Sequence, residues 1–380
     1  MIIGLIGKPN AGKSTFFKAA TLRDVKISDV PFTTIEPNVG IGFVITDCVC
    51  KEFKVECNPR YGKCVKGKRF IPIKLMDVAG LVKDAHKGKG LGNKFLDDLR
   101  QADGLIHVVD FSGLTDENGN PTQNYDPEND LIALENEFDL WFEGIVKRAI
   151  EKFEKDRNPN KPKIDEYLYL QLSGLSIPKS KIEEALRKVD YKNTFEFSKY
   201  LRKISKPILI AANKMDLKES QANFERLKDK YELIPTSAEY ELVLKTAHER
   251  SYIYYLPGNG FEVVKPLDEI QQKVLNRISE FIKKYGSTGV QLCLNKLVFE
   301  RLQMIVVYPV ATQKLTDSEG NVLPDAFLVK KGTTLKEFAF KIHSEIGEKF
   351  ICGIDMRTKK KLGADYELKH NDVVQIMFGR

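Results

Sequence analysis

Gly7-Lys8-Pro9-Asn10-Ala11-Gly12-Lys13-Ser14 lies between an apolar, β-branched run, Ile2 to Ile6, and a stretch from Lys13 to Leu22 that reads as a helix. The spacing fits G-x-x-x-x-G-K-[ST], and a strand before it with a helix after it is the context that turns the pattern into a phosphate cradle. Glycines let backbone N–H groups approach an anion, and the helix N-terminus adds its dipole. Lys13 then reaches the outer phosphate oxygens, and the Ser14 hydroxyl is placed to ligate Mg²⁺. The whole span from Gly7 to Thr15 therefore reads as a nucleotide-phosphate loop. A chain that opens this way is committed to a strand–loop–helix unit of an open, mostly parallel sheet.

Further buried strands are expected at Ile71 to Met76, Leu105 to Val109, Pro207 to Ala212 and Glu232 to Pro235, most of them separated by helical text. This alternation predicts an α/β fold, a parallel doubly wound sheet with helices on both faces. Between Pro121 and Lys206 the strand pattern stops. Helices are expected there at Asn129 to Glu154 and Lys179 to Val189, forming a helical insertion. From Glu143 to Lys206 it holds 16 Lys/Arg against 10 Asp/Glu, with Tyr167, Tyr169 and Tyr191 interleaved. That is either a solvated helical face over its own small core or an RNA- or ribosome-facing surface. After Ala238 a helical connection runs to about Leu297, interrupted at Pro257, Gly258 and Gly260 by a hinge or a rigid turn. In the last eighty residues Met304 to Pro309 and Phe327 to Lys330 are strand-like. Thr334-Leu-Lys-Glu337 is a capping box opening a helix with an apolar stripe from Leu335 to Ile346, and Val373 to Phe378 closes the chain as a strand. The expected parts are thus a nucleotide-binding domain over 1–120 and 207–300, a helical insertion over 121–206, and a small α+β module over 301–380.

Three more segments fall at the ends of candidate strands. Asp77-Val-Ala-Gly80 places a carboxylate where it can reach a Mg²⁺ shell and a glycine amide where it can face a γ-phosphate. Asn213-Lys214-Met215-Asp216 places a carboxylate that can accept the N1–H and exocyclic amine of guanine, for which adenine has no matching donor pair. Thr236-Ser237-Ala238 brings a backbone amide toward the guanine O6. In this order the four segments describe one crevice of a doubly wound sheet. They resemble the translation-factor-related P-loop GTPases of the Obg superfamily.

Two more segments sharpen the resemblance. Pro31-Phe-Thr33-Thr34-Ile-Glu-Pro37-Asn38-Val-Gly40 is similar to the family's switch I, which implies that Thr34, or else Thr33, closes over Mg²⁺ and the γ-phosphate. Gly80-Leu-Val-Lys-Asp-Ala-His86-Lys-Gly88-Lys-Gly90-Leu-Gly92-Asn93 is similar to its glycine-rich switch II. The C-terminal module resembles a TGS domain of ubiquitin-like β-grasp fold, and with it the likeness to the YchF (Obg-like) subfamily, archaeal in type, covers nearly the whole chain. The resemblance implies a Mg²⁺-dependent GTPase working as a molecular switch, with Lys13, Thr34 and Gly80 serving hydrolysis, GTP and GDP as ligands, and the ribosome or RNA as partner. Many members carry Asn-x-x-Glu where Asp216 stands here, a change associated with ATP use. The intact Asp216 predicts GTP preference, with an Obg-like ATPase as the alternative. A different class, a nucleotide-stabilised RNA or ribosome adaptor with incidental hydrolysis, stays open beside both.

Ras-like enzymes orient the attacking water with a Gln directly after D-x-x-G. Leu81 occupies that position and can neither accept a proton nor orient water, so slow turnover is expected. Asn10 stands where related GTPases hold a monovalent cation, K⁺, or else it only tightens the loop turn. His86 is a water-positioning candidate or a solvent-exposed residue among glycines.

Cys48, Cys50, Cys57 and Cys64 fall within an insert between switch I and the Asp77 strand, where four thiolates can hold a structural Zn²⁺. The spacing departs from paired C-x₂₋₄-C, and free thiols in a basic loop are the other reading. His107 is expected in the core and His343 at the surface. Nothing approaches the 18 consecutive apolar residues of a spanning helix, and with no charged n-region at Met1 a cytoplasmic chain with no membrane role is expected. The composition, 42% hydrophobic and 30% charged, is that of a globular chain, and a net charge of +7 permits an RNA partner without requiring one. A monomer is the default expectation.

Overall fold

The computed structural model describes residues 1–21, 38–78 and 99–379. In chain order its first elements are β1 (Ile2–Ile6), α1 (Lys13–Ala20), β2 (Val39–Asp47), α2 (Cys50–Phe53), β3 (Lys63–Val65), β4 (Lys68–Asp77) and β5 (Gly104–Asp110). Helices follow as α3 (Glu128–Lys155), α4 (Ile164–Gln171), α5 (Lys179–Lys188) and α6 (Thr194–Ser205). Next come β6 (Ile208–Asn213), α7 (Glu219–Leu227), β7 (Leu233–Pro235), α8 (Ala238–Glu249), β8 (Ile253–Tyr255), β9 (Phe261–Val263), α9 (Glu269–Tyr285) and α10 (Val290–Asn295). A π-helical stretch, Lys296–Arg301, leads to β10 (Met304–Val310), β11 (Phe327–Lys330), α11 (Leu335–Ile342), α12 (Ser344–Glu348), β12 (Phe350–Asp355), β13 (Lys361–Leu362) and β14 (Asp372–Phe378). Two compact units emerge, residues 1–21, 38–40, 74–78 and 99–293 forming one, 41–73 and 294–379 the other.

In the first unit β4, β1, β5, β6 and β7 lie side by side and parallel. β5 is buried along its whole length, which is why it reads as an unbroken apolar run with no alternation. β1 pairs with β4 through Ile3 and Leu75 on one side and with β5 through Ile3 and Gly104 on the other. The chain therefore turns opposite ways from β1, and the C-terminal end of that strand is the switch point where such sheets bind ligands.

α3 buries Leu134, Phe138, Phe142, Val146 and Ile150, a helical stripe that meets Phe197 and Leu201 of α6. Arg202 Nε donates to Asp139 Oδ1 at 2.6 Å inside this contact, both groups buried. The sequence reading has α3 and α5 within a residue or two but lacks α4 and α6. It places a hinge or rigid turn at Pro257 to Gly260 within a helical connection; the structure has a turn there, but one that joins a hairpin, β8 pairing antiparallel with β9 from Ile253–Val263 to Tyr255–Phe261. Three-residue strands are too short to display their period.

In the second unit the sheet order is β11-β10-β14-β12-β13, with β10 parallel to β14 and antiparallel to β11. α11 opens with the expected capping box, Thr334 accepting from the Glu337 amide and Glu337 accepting from the Thr334 amide. It packs Leu335 and Phe338 against Ile305, Val307, Val329 and Val374. The stripe does not run unbroken to Ile346. His343 is extended, with φ −162°, and its exposed ring caps α12 by accepting from the Glu345 amide. Residues 41–73 add β2, α2 and the β3–β4 hairpin, whose register sets Cys64 opposite Arg69.

Candidate functional site

The loop leaving β1 carries two positions that only glycine fills. Gly7 has φ 154°, and a Cβ there would stand 2.4 Å from the Val108 carbonyl oxygen. Gly12 has φ 92°, and its Cβ would stand 2.2 Å from Asn213 Nδ2. Gly12 is also the N-cap of α1, so no side chain caps the helix and no acid occupies its first turn. The first-turn amides thus have no intrahelical or capping partner, and the positive end of the helix dipole is left uncompensated, the ordinary setting for an anion.

Beside that helix end Lys13 Nζ lies 2.6 Å from Asp77 Oδ1, and Ser14 Oγ donates to Asp77 Oδ2 at 3.4 Å. β1 and β4 are in register at Leu5 and Asp77, which is what carries the carboxylate to the loop. A carboxylate and a hydroxyl in contact are hard oxygen donors, the set that suits Mg²⁺.

Asn213, at the end of β6, ties two segments together. Its Nδ2 donates to the Ala11 carbonyl at 2.9 Å, and its Oδ1 accepts from the Ala238 amide at 3.1 Å. The Ala238 amide that the sequence reading offers to a base carbonyl is therefore spent on Asn213. The Asp216 side chain is half-buried and has no hydrogen-bond partner among the described residues. Ser237 acts in the fold: its Oγ accepts from the Tyr240 amide as the N-cap of α8. Lys214, left-handed with φ 64°, donates to Asp110 Oδ2 at 2.7 Å. Asp110 is fully buried and also accepts from the Ser112 amide, Ser112 Oγ and Thr115 Oγ1. Burial alone would raise its pKa, but these hydrogen bonds, led by Lys214, outweigh it and hold the carboxyl below its usual range.

Two side chains of the phosphate loop turn elsewhere. Lys8 is buried, donating to the Thr115 carbonyl at 2.8 Å and pairing with Asp130 Oδ2 at 2.9 Å over the Tyr125 ring. Only its backbone is left for a phosphate. Asn10 has φ 61° and donates through Nδ2 to the Gly119 carbonyl at 2.9 Å. Because that carbonyl can only accept, the atom facing it is the amide nitrogen and Oδ1 faces away. The segment from Ser112 to Asp126 therefore braces the loop, a role with no motif to announce it.

A second support went unread. Thr288 accepts through its carbonyl from the Ser237 amide at 2.9 Å, and its hydroxyl donates to the buried Glu241, which also accepts from the Tyr255 hydroxyl at 2.6 Å. Gly286-Ser-Thr-Gly289 between two helical patterns is the signal that marks it as a structured loop. Thr33, Thr34, Gly80, Leu81 and His86, with the rest of both switch segments up to Pro37 and Asn93, lie outside the described residues. His107 is buried in β5 as expected, its pKa pulled down to about 3 by burial and then by the Lys8 charge. The four cysteines come together in the second unit, all their sulfurs within 4.8 Å of one another. No helix among the described residues is long and apolar enough to cross a membrane.

Known proteins share this plan. The family described as 50S ribosome-binding GTPase matches residues 2–140, the Obg-like GTPase YGR210-like, G4 motif-containing domain matches 211–312, and the TGS domain matches 319–378. An uncharacterized GTP-binding protein of Methanocaldococcus jannaschii is 50% identical over 99% of this chain and 98% of its own. The ribosome-binding ATPase YchF of Bacillus subtilis is 27% identical over 99% of this chain and 98% of its own. The crystal structure of a GTP binding protein from Pyrococcus horikoshii superposes with a TM-score of 0.78 at 38% identity, covering 100% of both chains.

Proposed function

The chain belongs to the YchF branch of the Obg-like P-loop GTPases, and on that footing we propose that it is a Mg²⁺-dependent, guanine-selective switch that hydrolyses GTP slowly and docks on the ribosome. The observation that carries the guanine reading is the pairing of a doubly bonded Asn213 with a half-buried Asp216 three residues on that has no hydrogen-bond partner among the described residues. Asn213 fixes the crevice walls, and Asp216 is the carboxylate left to accept from N1–H and the exocyclic amine of guanine. The Bacillus subtilis relative is named an ATPase; Asp216 is the residue on which this chain's base choice rests.

Triphosphate seats on the amides of Gly12 to Thr15, and Lys13 exchanges Asp77 for phosphate oxygens. Asp77 and Ser14 hold Mg²⁺, which would supply charge neutralisation at the β- and γ-phosphates. Thr34 and the Gly80 amide serve as γ-phosphate sensors, and Leu81, unable to orient water, makes turnover slow. Asn10 Oδ1, facing away from Gly119, is the ligand this chain offers to K⁺. The family description matching residues 2–140 and the name of the Bacillus subtilis relative both support the ribosome as partner.

The test is competition of labelled GTP by GDP, GTP and ATP in Mg²⁺ on the full chain. GTP and GDP are expected to bind more tightly than ATP by roughly 10³-fold or more, since a site built for the guanine edge leaves buried groups unpaired against adenine. Asp216→Ala should collapse that ratio toward unity while leaving ATP affinity nearly unchanged. Equal GTP and ATP affinity in the unaltered protein would overturn the guanine reading and favour an ATPase.

A further inference from the structure

Away from the candidate nucleotide crevice, the densest cluster of ligating side chains among the described residues sits in the 41–73 segment of the second unit. Cys48 follows β2, Cys50 opens the four-residue α2, Cys57 lies in the loop after it, and Cys64 is in β3. Four backbone positions spread from 48 to 64 thus deliver sulfur to one point. Cys48 and Cys57 Sγ are 3.9 Å apart, as are Cys50 and Cys64 Sγ, and all four lie within 4.8 Å of one another. A tetrahedron of Zn–S bonds of about 2.3 Å has edges of about 3.8 Å. A disulfide needs sulfurs at about 2.05 Å, and all four cysteines are free.

The backbone shows why the points converge. Lys66 and Gly67, both left-handed with φ 49° and 74°, make the two-residue turn between β3 and β4. The Gly67 carbonyl accepts from the Cys48 amide at 2.9 Å, so the hairpin carrying Cys64 is tied directly to the strand end carrying Cys48. Left-handed Lys54, φ 52°, ends α2, and the Val55 amide donates back to the Cys50 carbonyl at 3.0 Å, turning the chain toward Cys57.

A second, independent observation concerns the polar groups around the sulfurs. Arg69, 1% exposed, gives Nη1 and Nη2 to the Leu323 and Pro324 carbonyls at 3.0 and 2.7 Å, and its Nε has no hydrogen-bond partner among the described residues. The Tyr308 hydroxyl is also buried with no hydrogen-bond partner among the described residues. Both groups stand beside the cluster: Arg69 is opposite Cys64 in the β3–β4 register, and its guanidinium carbon lies 6.0 Å from the centre of the Tyr308 ring. A zinc bound by four thiolates carries a net charge of −2, and a buried guanidinium and hydroxyl with donors to spare are the outer groups it needs.

We propose that Cys48, Cys50, Cys57 and Cys64 form a closed tetrathiolate site for one structural zinc ion. All-sulfur donors exclude the hard cations Mg²⁺ and Ca²⁺, and a closed four-ligand shell suits a structural rather than a catalytic ion. The ion fastens a knuckle whose edge is bonded to the C-terminal module: the Asn58 amide donates to the Val322 carbonyl at 2.8 Å, the Arg60 amide to that of Pro324 at 2.9 Å, and Arg60 Nη2 pairs with Asp317 at 2.7 Å.

The experiment is elemental analysis of the full chain, purified in reducing buffer without chelator, beside Cys57→Ser/Cys64→Ser and a Cys293→Ser control. About one zinc per chain is expected in the unaltered protein and in Cys293→Ser, and less than a tenth of that in the double variant. Should the double variant fail to fold, replacement of the metal by Co²⁺ in the unaltered protein decides, since a tetrahedral thiolate site gives an intense sulfur-to-cobalt charge-transfer band. No zinc after incubation with equimolar Zn²⁺ in reductant, stoichiometric iron in its place, or zinc retained by the folded double variant would each overturn the proposal.

Discussion

Asn213 shows how one side chain can hold two motifs together. Its amide and carbonyl are both used, on Ala11 and Ala238, so the residue proposed to frame the base site fastens the Gly7–Ser14 loop to the Thr236–Ala238 turn. Asn213→Ala strands a buried carbonyl and a buried amide, and at about 1 kcal/mol net for each bond it should cost about 2 kcal/mol in urea unfolding. Nucleotide affinity should fall further than that cost implies, because the geometry of both motifs relaxes together. Asp110 gives a pH-dependent counterpart. Its folded pKa lies below the unfolded one, so its contribution is complete above the unfolded value, about 3.9, and is lost as pH falls through the folded value. Unfolding at pH 7 should find Asp110→Asn less stable by roughly 3 kcal/mol, because Lys214 and three further donors lose a charged acceptor. The gap should narrow below about pH 4. A gap that is constant with pH would mean that the charge of Asp110 contributes nothing.

The loop from Ser112 to Asp126 works as a brace, gripping the phosphate loop through Lys8 at Thr115 and through Asn10 at Gly119. Asn10→Gly keeps the left-handed backbone that Asn10 adopts while removing both its donor and its Oδ1. Phosphate release from GTP in the unaltered protein should be faster in K⁺ than in Na⁺, and Asn10→Gly should erase that difference; equal rates in both salts in the unaltered protein would remove the cation from the mechanism. In the C-terminal module the capping box is a simpler device, and Thr334→Ala should lower stability by about 1 kcal/mol. What the sequence made legible tracks the range of the signal. β1, β5 and α3 announce themselves through local runs and periods, and Lys13, Asp77 and Asp216 through motif spacing. Thr288, the Asp110–Lys214 pair and the Ser112–Asp126 brace stayed hidden because the groups they join lie far apart along the chain and carry no fixed spacing. The cysteines were visible but ambiguous, since nothing in their irregular spacing states that a left-handed Lys54 and a two-residue turn at Lys66-Gly67 bring them to one point.

Where a ribosome would be gripped is a question of charge distribution rather than of any single contact. The chain carries +7 overall, of which the stretch from Glu143 to Lys206 supplies 16 basic against 10 acidic residues, nearly the whole excess. Lys147, Arg148 and Lys152 are exposed on α3, opposite the stripe of Phe142, Val146 and Ile150 that packs against the other helices. Their removal should therefore leave the core intact and act only through electrostatics. Binding to ribosomal particles measured across a salt series should weaken as salt rises, because each phosphate neutralised releases counterions. If this face docks, replacing the three by Gln should reduce the slope of log K against log salt by roughly 2, at about 0.7 per contact for single-stranded RNA. GTP binding should be unaffected, since the crevice at the end of β1 uses none of these residues. An unchanged slope with weakened GTP binding would place the damage in the fold, and an unchanged slope with normal GTP binding would assign docking to a different face.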